Sequence, residues 1–123
     1  MGFLIDSNII IYSYSDNYDY LREFVLNEAC MFSEISRVEV LGYHKLKVEE
    51  ENYFTSVFKY VTVILPTQDI FDQALRIRQK YNLKLADSII AATAYVNGLE
   101  LYTRNTVDFM RVKGLKCFDP IIR

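Results

Sequence analysis

Acid and amide side chains recur in this sequence close to short apolar runs. Asp6 ends "GFLID", Asp87 lies at the start of the apolar segment "LADSIIAATAYV", and Asn105 and Asp108 follow "LELYT". Glu39, in "SRVE", completes the set. Oxygen atoms of this kind are the ligands that hard divalent cations such as Mg²⁺ and Mn²⁺ prefer. The chemistry to consider is metal-assisted, and it depends on whether the fold brings these residues together.

Each of these residues also has an ordinary structural interpretation. Asp6 and the two polar residues after it can cap a helix, and Ser36 with Glu39 fits the capping-box pattern. Asp87 in a first helical turn is favoured by the helix dipole by about 0.3–1 kcal/mol. The amide and the acid of "TRNTVDF" suit a turn. Taken singly, these residues do not require a functional site.

The elements that must position them alternate between strands and helices. "GFLID", "VTVIL", "LELYT" and "LKCFD" are typical of short strands, and Pro66 ends the second of them. Helical spacing is present in "DNYDYLREFVLNEA", twice in "SRVEVLGYHKLKVEEENYFTSVFKYV", and in "TQDIFDQALRIRQKYN", which begins at a Thr cap. "LADSIIAATAYVNG" predicts a buried helix that ends at Asn97-Gly98. The alternation predicts an α/β fold with a parallel sheet covered on both faces.

An open parallel sheet would bring the separate acids to one place. The carboxyl ends of its strands meet at a crevice, where Asp6, Asp87 and Asn105 could converge, with Glu39 from an adjacent helix. Three carboxylates within about 4 Å of one another repel by roughly 4 kcal/mol per pair at an effective dielectric of 20. Either protonation or a bound cation must relieve that repulsion. A cation there could promote phosphodiester hydrolysis.

Composition limits the other possibilities. The 123 residues fit a single domain spanning 1–123, and the net charge of −2 means that any nucleic-acid contact must come from a local patch. Cys30 and Cys117 are far apart and His44 is the single histidine, which argues against zinc. The cysteines are interpreted as reduced core residues and the histidine as structural. With neither a signal peptide nor a membrane span in the pattern, we expect a cytoplasmic protein without a membrane partner.

Three segments, taken in order, resemble one known family. "LIDSNIIIY", "SRVEVLGY" and "LADSIIAATAYVNGLELYTRNTVDF" together resemble PIN-domain ribonucleases, and especially the VapC-type toxins of toxin–antitoxin pairs. The resemblance implies a three-layer α/β/α PIN-like fold on a mostly parallel central sheet. It also implies endoribonuclease activity dependent on Mg²⁺ or Mn²⁺, with metal ligands at Asp6, Glu39 and Asp87. Further implications are an RNA substrate, a small antitoxin as partner, and a homodimer.

One position departs from the fully acidic family pattern. Asn105 stands where the family often has an aspartate after the last motif strand. An amide oxygen can still accept a hydrogen bond from a metal-bound water, and Asp108, one helical turn later, could supply the missing charge. Asn105 and Asp108 are therefore kept among the candidate catalytic residues.

Cations near the predicted acids are candidates for substrate binding. Arg37, Lys84 and Arg104 each lie within three residues of a predicted metal-site position, and they are our candidates for contacts to RNA phosphates. The alternative is that they are ordinary solvated charges.

Two other functions fit parts of the pattern. A phospho-acceptor receiver domain has a similar length and a carboxylate-bound Mg²⁺, but it needs paired acids after its first strand and another acid after a middle strand, and "VTVILPT" supplies none. A PIN-like module that has lost catalysis and binds RNA or a protein is the alternative that Asn105 leaves open.

Overall fold

The computed structural model describes residues 2–122, which form a parallel β-sheet with helices on both faces. The strands are β1 (Phe3–Ile5), β2 (Cys30–Ser33), β3 (Thr62–Ile64), β4 (Glu100–Tyr102) and β5 (Cys117–Phe118). Within the described residues they lie side by side in the order β3-β2-β1-β4-β5, and every pairing is parallel. β1 is the central strand, so its carboxyl end lies in the middle of one edge of the sheet.

Helices connect the strands. They are α1 (Ser7–Tyr12), α2 (Arg22–Val25), α3 (Glu34–Leu41), α4 (Val48–Tyr60), α5 (Gln68–Tyr81), α6 (Leu85–Val96) and α7 (Thr106–Phe109), with a 3-10 helix at Asp16–Leu21. None of the helices in residues 2–122 has the length and apolar character needed to cross a membrane.

Successive residues of β1 point to opposite faces of the sheet and into two separate cores. Leu4 packs in the core formed with α5, α6 and α7, whereas Phe3 and Ile5 pack in the core formed with α1, α2 and α4. This alternation follows from the two-residue period of a strand. Burial on both faces explains why "FLI" is apolar throughout, and it confirms the predicted α/β class with its sheet covered on both sides.

The predicted boundaries of the two packed helices α5 and α6 are confirmed. The Thr67 hydroxyl caps α5 by accepting a 3.3 Å hydrogen bond from the backbone N–H of Ile70, and the residue after the helix, Asn82, has a left-handed conformation (φ 54°). α6 is followed by Gly98 with φ 63°, which a residue with a side chain rarely adopts. Asp87 is thereby fixed in the first turn of a buried helix.

Three local predictions are corrected. β2 was not predicted, because "CMFS" contains no β-branched residue. The segment "DNYDYLREFVLNEA", predicted as one helix, is instead a 3-10 helix followed by the single turn of α2. Ser36 and Glu39 do not form a capping box, since α3 begins earlier: the hydroxyl of Ser33 accepts a 3.2 Å hydrogen bond from the backbone N–H of Ile35. Glu39 is therefore free for another partner.

Candidate functional site

Asp6 lies at the carboxyl end of the central strand and is 4% exposed. Its Oδ1 accepts a 2.8 Å hydrogen bond from the backbone N–H of Ser7, and its Oδ2 accepts a 2.7 Å hydrogen bond from the hydroxyl of Thr103. Asp6 is also the N-cap residue of α1. The cap and the candidate ligand are thus the same residue, held in place from two sides.

Glu39 is connected to Asp6 through the residue between them. The hydroxyl of Ser7 donates a 2.6 Å hydrogen bond to Oε1 of Glu39, while its backbone N–H donates to Asp6. Ser7 belongs to α1 and Glu39 to α3, and these helices pack against each other. One serine therefore fixes two candidate metal ligands that are far apart in the sequence.

Thr103 connects Asp6 to the second pair of candidate residues. Its hydroxyl donates to Asp6 and accepts a 3.0 Å hydrogen bond from the backbone N–H of Asn105. The side-chain Nδ2 of Asn105 donates a 3.0 Å hydrogen bond to Oδ2 of Asp108, and the other carboxylate oxygen of Asp108, Oδ1, lies 3.7 Å from the guanidinium of Arg111. A continuous hydrogen-bonded chain therefore runs from Glu39 through Ser7, Asp6, Thr103 and Asn105 to Asp108.

Asp87 joins this group through its charge. It is half-buried in the first turn of α6. Burial raises the pKa of its carboxyl group, and the charges of Glu39 and Asp108 raise that pKa further, whereas the charge of Lys84 lowers it. Asp87 is therefore within electrostatic range of Glu39 and Asp108, which belong to the hydrogen-bonded chain that contains Asp6.

The carboxyl group of Asp6 is strongly perturbed. Its pKa is raised to about 6, mainly by burial, and the charges of Asp87 and Glu39 act in the same direction. The hydrogen bonds from Thr103 and from the backbone N–H of Ser7 act in the opposite direction. A carboxylate in this position is costly without a positive partner, which is the electrostatic problem that a divalent cation solves.

The residues present fit a hard divalent cation in their donor chemistry. Carboxylate and amide oxygens are the appropriate ligands, and the repulsion among the acids favours a positive ion. Within residues 2–122, no three His, Cys, Asp or Glu side chains are close enough to form a complete metal-binding group. Asp6 and Glu39 each accept a hydrogen bond from a hydroxyl group. The acids therefore lie near one another without the close spacing of metal ligands.

The three candidate phosphate-binding cations have different surroundings. Arg37 is paired with Glu34 on the exposed side of α3. Lys84 acts electrostatically on Asp87 at the start of α6. The guanidinium of Arg104 stacks on the ring of Tyr12, 5.0 Å from its centroid, and donates to its hydroxyl. Lys84 therefore acts on an acid of the site, Arg104 is held by Tyr12 of α1, and Arg37 is paired with Glu34.

Two residues that organise the group were not predicted from the sequence. The sequence pattern indicates only a helix cap at Ser7 and indicates no role for Thr103. Their partners lie 32 and 97 residues away along the chain, so local spacing could not identify them. The available signal was the position of each hydroxyl beside an acid or amide at the end of a strand.

Comparison with known proteins identifies the family. The sequence model of the PIN domain matches residues 3–115. The chain belongs to the PIN domain family. PIN domains are generally nucleases, and the group of acids at the carboxyl edge of the sheet lies within the matched region. A search of curated proteins gave no match to this PIN domain.

Solved structures confirm the predicted resemblance to VapC-type toxins. A toxin–antitoxin complex from Klebsiella pneumoniae contains a chain that is 32% identical, with a TM-score of 0.81 and coverage of 98% of each chain. DNA-bound VapBC from Salmonella typhimurium has 22% identity and a TM-score of 0.81, covering 97% of this chain and 98% of that one. VapBC2 from Rickettsia felis, bound to a promoter DNA fragment, has 19% identity and a TM-score of 0.79, covering 96% and 98%. The last two share the fold of this PIN domain.

Proposed function

We propose that this PIN domain, taken over residues 1–123, is a metal-dependent endoribonuclease that hydrolyses RNA phosphodiester bonds as a VapC-type toxin. The observation that carries the proposal is the hydrogen-bonded chain from Glu39 to Asp108, with buried Asp6 at its centre and Asp87 coupled to it by charge. Burying acids close to one another costs free energy of folding, so a purely structural role does not account for this group.

Asp6, Glu39 and Asp87 are the residues that would hold Mg²⁺ or Mn²⁺. When bound, such an ion activates a water molecule and offsets the negative charge that develops on the phosphate. Ser7 and Thr103 orient the carboxylates before the ion arrives, so less ordering is needed on binding.

The remaining polar residues would act on the substrate side. Asn105 and Asp108 are held together by their hydrogen bond and would complete the ligand set or orient water at its edge. Lys84 and Arg104 are the better placed phosphate contacts, because Arg37 is already neutralised by Glu34.

The proposed partners are a small antitoxin and a second copy of the chain. The Klebsiella pneumoniae relative is part of a toxin–antitoxin complex, which supports an antitoxin partner here. Exposed apolar side chains of α5 and α6, namely Phe71, Leu75 and Leu85, line one shallow groove and would be covered in a homodimer. Leu75→Glu should then convert a dimer to a monomer in light scattering.

The test of the nuclease is cleavage of single-stranded RNA by the purified chain in Mg²⁺ or Mn²⁺. We expect cleavage that EDTA stops and that Asp87→Ala reduces by at least 100-fold, since the change removes a proposed ligand. Glu51→Gln, which neutralises an exposed acid in the first turn of α4, is the matched control and should retain activity. Cleavage that survives Asp87→Ala would refute the assigned site.

A second candidate function is an inactive PIN-like module that binds RNA or a protein. The amide at Asn105, directed at Asp108 in place of a further acid, is the observation that favours it. RNA binding without cleavage of any RNA, in either metal, would support this alternative over the nuclease.

A further inference from the structure

Charge is unevenly distributed along the chain. Residues 1–72 contain 5 Lys and Arg against 12 Asp and Glu, whereas residues 73–123 contain 9 against 4, giving net charges of −7 and +5 that add to −2. A polyanion approaching this acidic protein would therefore be attracted by its C-terminal part. The question is whether those cations form a site.

Three of the cations line a single open groove of about 440 Å³ between α5, the end of α6 and the turn after α7. Arg76 and Lys80 come from α5, and Lys113 comes from the turn. The lining contains no Asp or Glu, and within residues 2–122 none of the three forms an ion pair with an acid. Their charges are available to a ligand.

Two tyrosine rings, those of Tyr81 and Tyr95, line the groove. The phenol oxygen of Tyr81 accepts a 3.1 Å hydrogen bond from the backbone N–H of Lys113, and Nζ of Lys80 lies 5.5 Å from the centre of the Tyr81 ring. Tyr95 lies across the groove and is 46% exposed. Gly114 has φ 87°, and a Cβ there would lie 3.7 Å from Cε1 of Tyr95, so the turn passes close to that ring.

A structural role accounts for only part of this arrangement. A cation in the last turn of a helix is favoured by the helix dipole, which explains Lys80 at the end of α5. It does not explain Arg76 one turn earlier, or Lys113 from a separate segment. Tyr95 is exposed, whereas Tyr81 is half-buried and packs partly against the core. Cations from two segments around accessible tyrosine rings are typical of single-stranded nucleic-acid binding, where phosphates bind the charges and bases stack on the rings.

The groove is separate from the acidic site. Tyr95 is eight residues after Asp87 on α6, about 12 Å along the helix axis, and α6 carries the two residues at opposite ends. We infer that this groove, formed by Arg76, Lys80, Lys113, Tyr81 and Tyr95, binds the phosphate backbone of a single-stranded RNA at a distance from the bond that is cut. The inference rests on the proposed nuclease function and assigns a second substrate contact to it.

The test is equilibrium binding of a labelled oligouridine of about 16 nucleotides in EDTA, where cleavage plays no part. The groove variant combines Arg76→Gln, Lys80→Gln and Lys113→Gln. Loss of three phosphate contacts should make the negative slope of log K against log salt shallower by about 2 and weaken binding by on the order of 100-fold at about 0.1 M salt. The charge-matched control combines Lys45→Gln, Lys47→Gln and Lys59→Gln in the acidic part and should keep the parent slope.

Several results would overturn the inference. The first is that the parent chain does not bind the RNA, and the second is that the groove variant keeps the parent slope. The third is that the control loses as much RNA affinity as the groove variant. The fourth is that polyglutamate competes for the groove as well as RNA does. If the groove variant does not fold, each single substitution should make the slope shallower by about 0.7. Groove binding without cleavage would refute only the nuclease, and cleavage with an unchanged slope in the groove variant would refute only the groove.

Discussion

The hydroxyl of Thr103 donates a 2.7 Å hydrogen bond to Oδ2 of Asp6, and both residues are buried. Thr103 directly follows β4 and Asp6 directly follows β1, so this bond joins the carboxyl ends of two neighbouring strands. It also lowers the pKa of Asp6, against the burial and the two negative charges that raise it to about 6. Thr103 therefore controls how readily the central acid of the site ionises.

Thr103→Val should make Asp6 harder to ionise. The change keeps the shape of the side chain and removes the donor, and a hydrogen bond to a charged group contributes about 1.5–3 kcal/mol. The pKa of Asp6 should rise by about one to two pH units, so the acidic limb of the pH–rate profile for RNA cleavage should move to higher pH by that amount. Thr103→Ser, which restores a hydroxyl, should return the limb toward its original position; a limb that is the same in all three proteins would contradict the assigned role.

The raised pKa of Asp6 makes stability depend on pH in a defined direction. The folded chain holds the Asp6 proton up to about pH 6, whereas the unfolded chain loses it near its ordinary value of 3.8. Between these values the folded state binds more protons, so the free energy of unfolding falls as pH rises, by about 3 kcal/mol for this group. Asp6→Asn should remove that fall in urea unfolding measured in EDTA, and a difference between the two proteins that does not change with pH would contradict it.

A divalent cation should relieve the repulsion among the acids and stabilise the folded chain. A ligand that binds only the folded state at about 100 times its Kd adds roughly 2.7 kcal/mol, which should appear as a rise of several degrees in the melting temperature when Mn²⁺ is added. Asp87→Asn should abolish most of the rise, while Glu51→Gln should retain it. Melting curves that ignore Mn²⁺ would count against a metal site.

The cations near the site should differ in their effect on substrate. Arg104 is held by Tyr12 on α1, and Arg37 is held by Glu34. Arg104→Ala should raise KM for RNA cleavage about 10-fold, the effect of losing roughly 1.4 kcal/mol of binding, with a smaller change in kcat. Arg37→Ala is the control and should leave KM within about 2-fold. The reverse order of effects would place the phosphate contact on α3.

The fold was predicted from the sequence where patterns are long or tightly bounded. "FLI" before an acid predicts β1, and the apolar segment ending at Asn97-Gly98 predicts α6. In both cases the run of apolar residues itself indicates a buried element. β2 was missed because its pairing with β1 and β3, and not its composition, makes it a strand. α3 likewise begins at Glu34, directly after β2, and its N-cap is Ser33 and not Ser36.

The family motifs mark the candidate acids in the sequence, but they do not mark the hydroxyls that connect them in the structure. The partners of Ser7 and Thr103 come from other elements, and no local spacing encodes such contacts. Proximity in the sequence also did not indicate which way a side chain points. Arg37 is two residues from Glu39, but two residues on a helix point about 200° apart, and Arg37 pairs with Glu34 instead.

Substitution of Asn105 tests how the number of negative charges at the site affects cation binding. Its Nδ2 donates a 3.0 Å hydrogen bond to Asp108, so Asn105→Asp replaces a donor with a second negative charge beside an existing one. Without metal, this repulsion should lower the melting temperature. With Mn²⁺, the added carboxylate should make the rise in melting temperature larger than in the parent, because another oxygen ligand and another negative charge favour the cation. Asp108→Asn provides the comparison, since it removes charge and should reduce the Mn²⁺ effect. If Asn105→Asp lowers the melting temperature equally with and without Mn²⁺, then this end of the hydrogen-bonded chain lies outside the metal's reach.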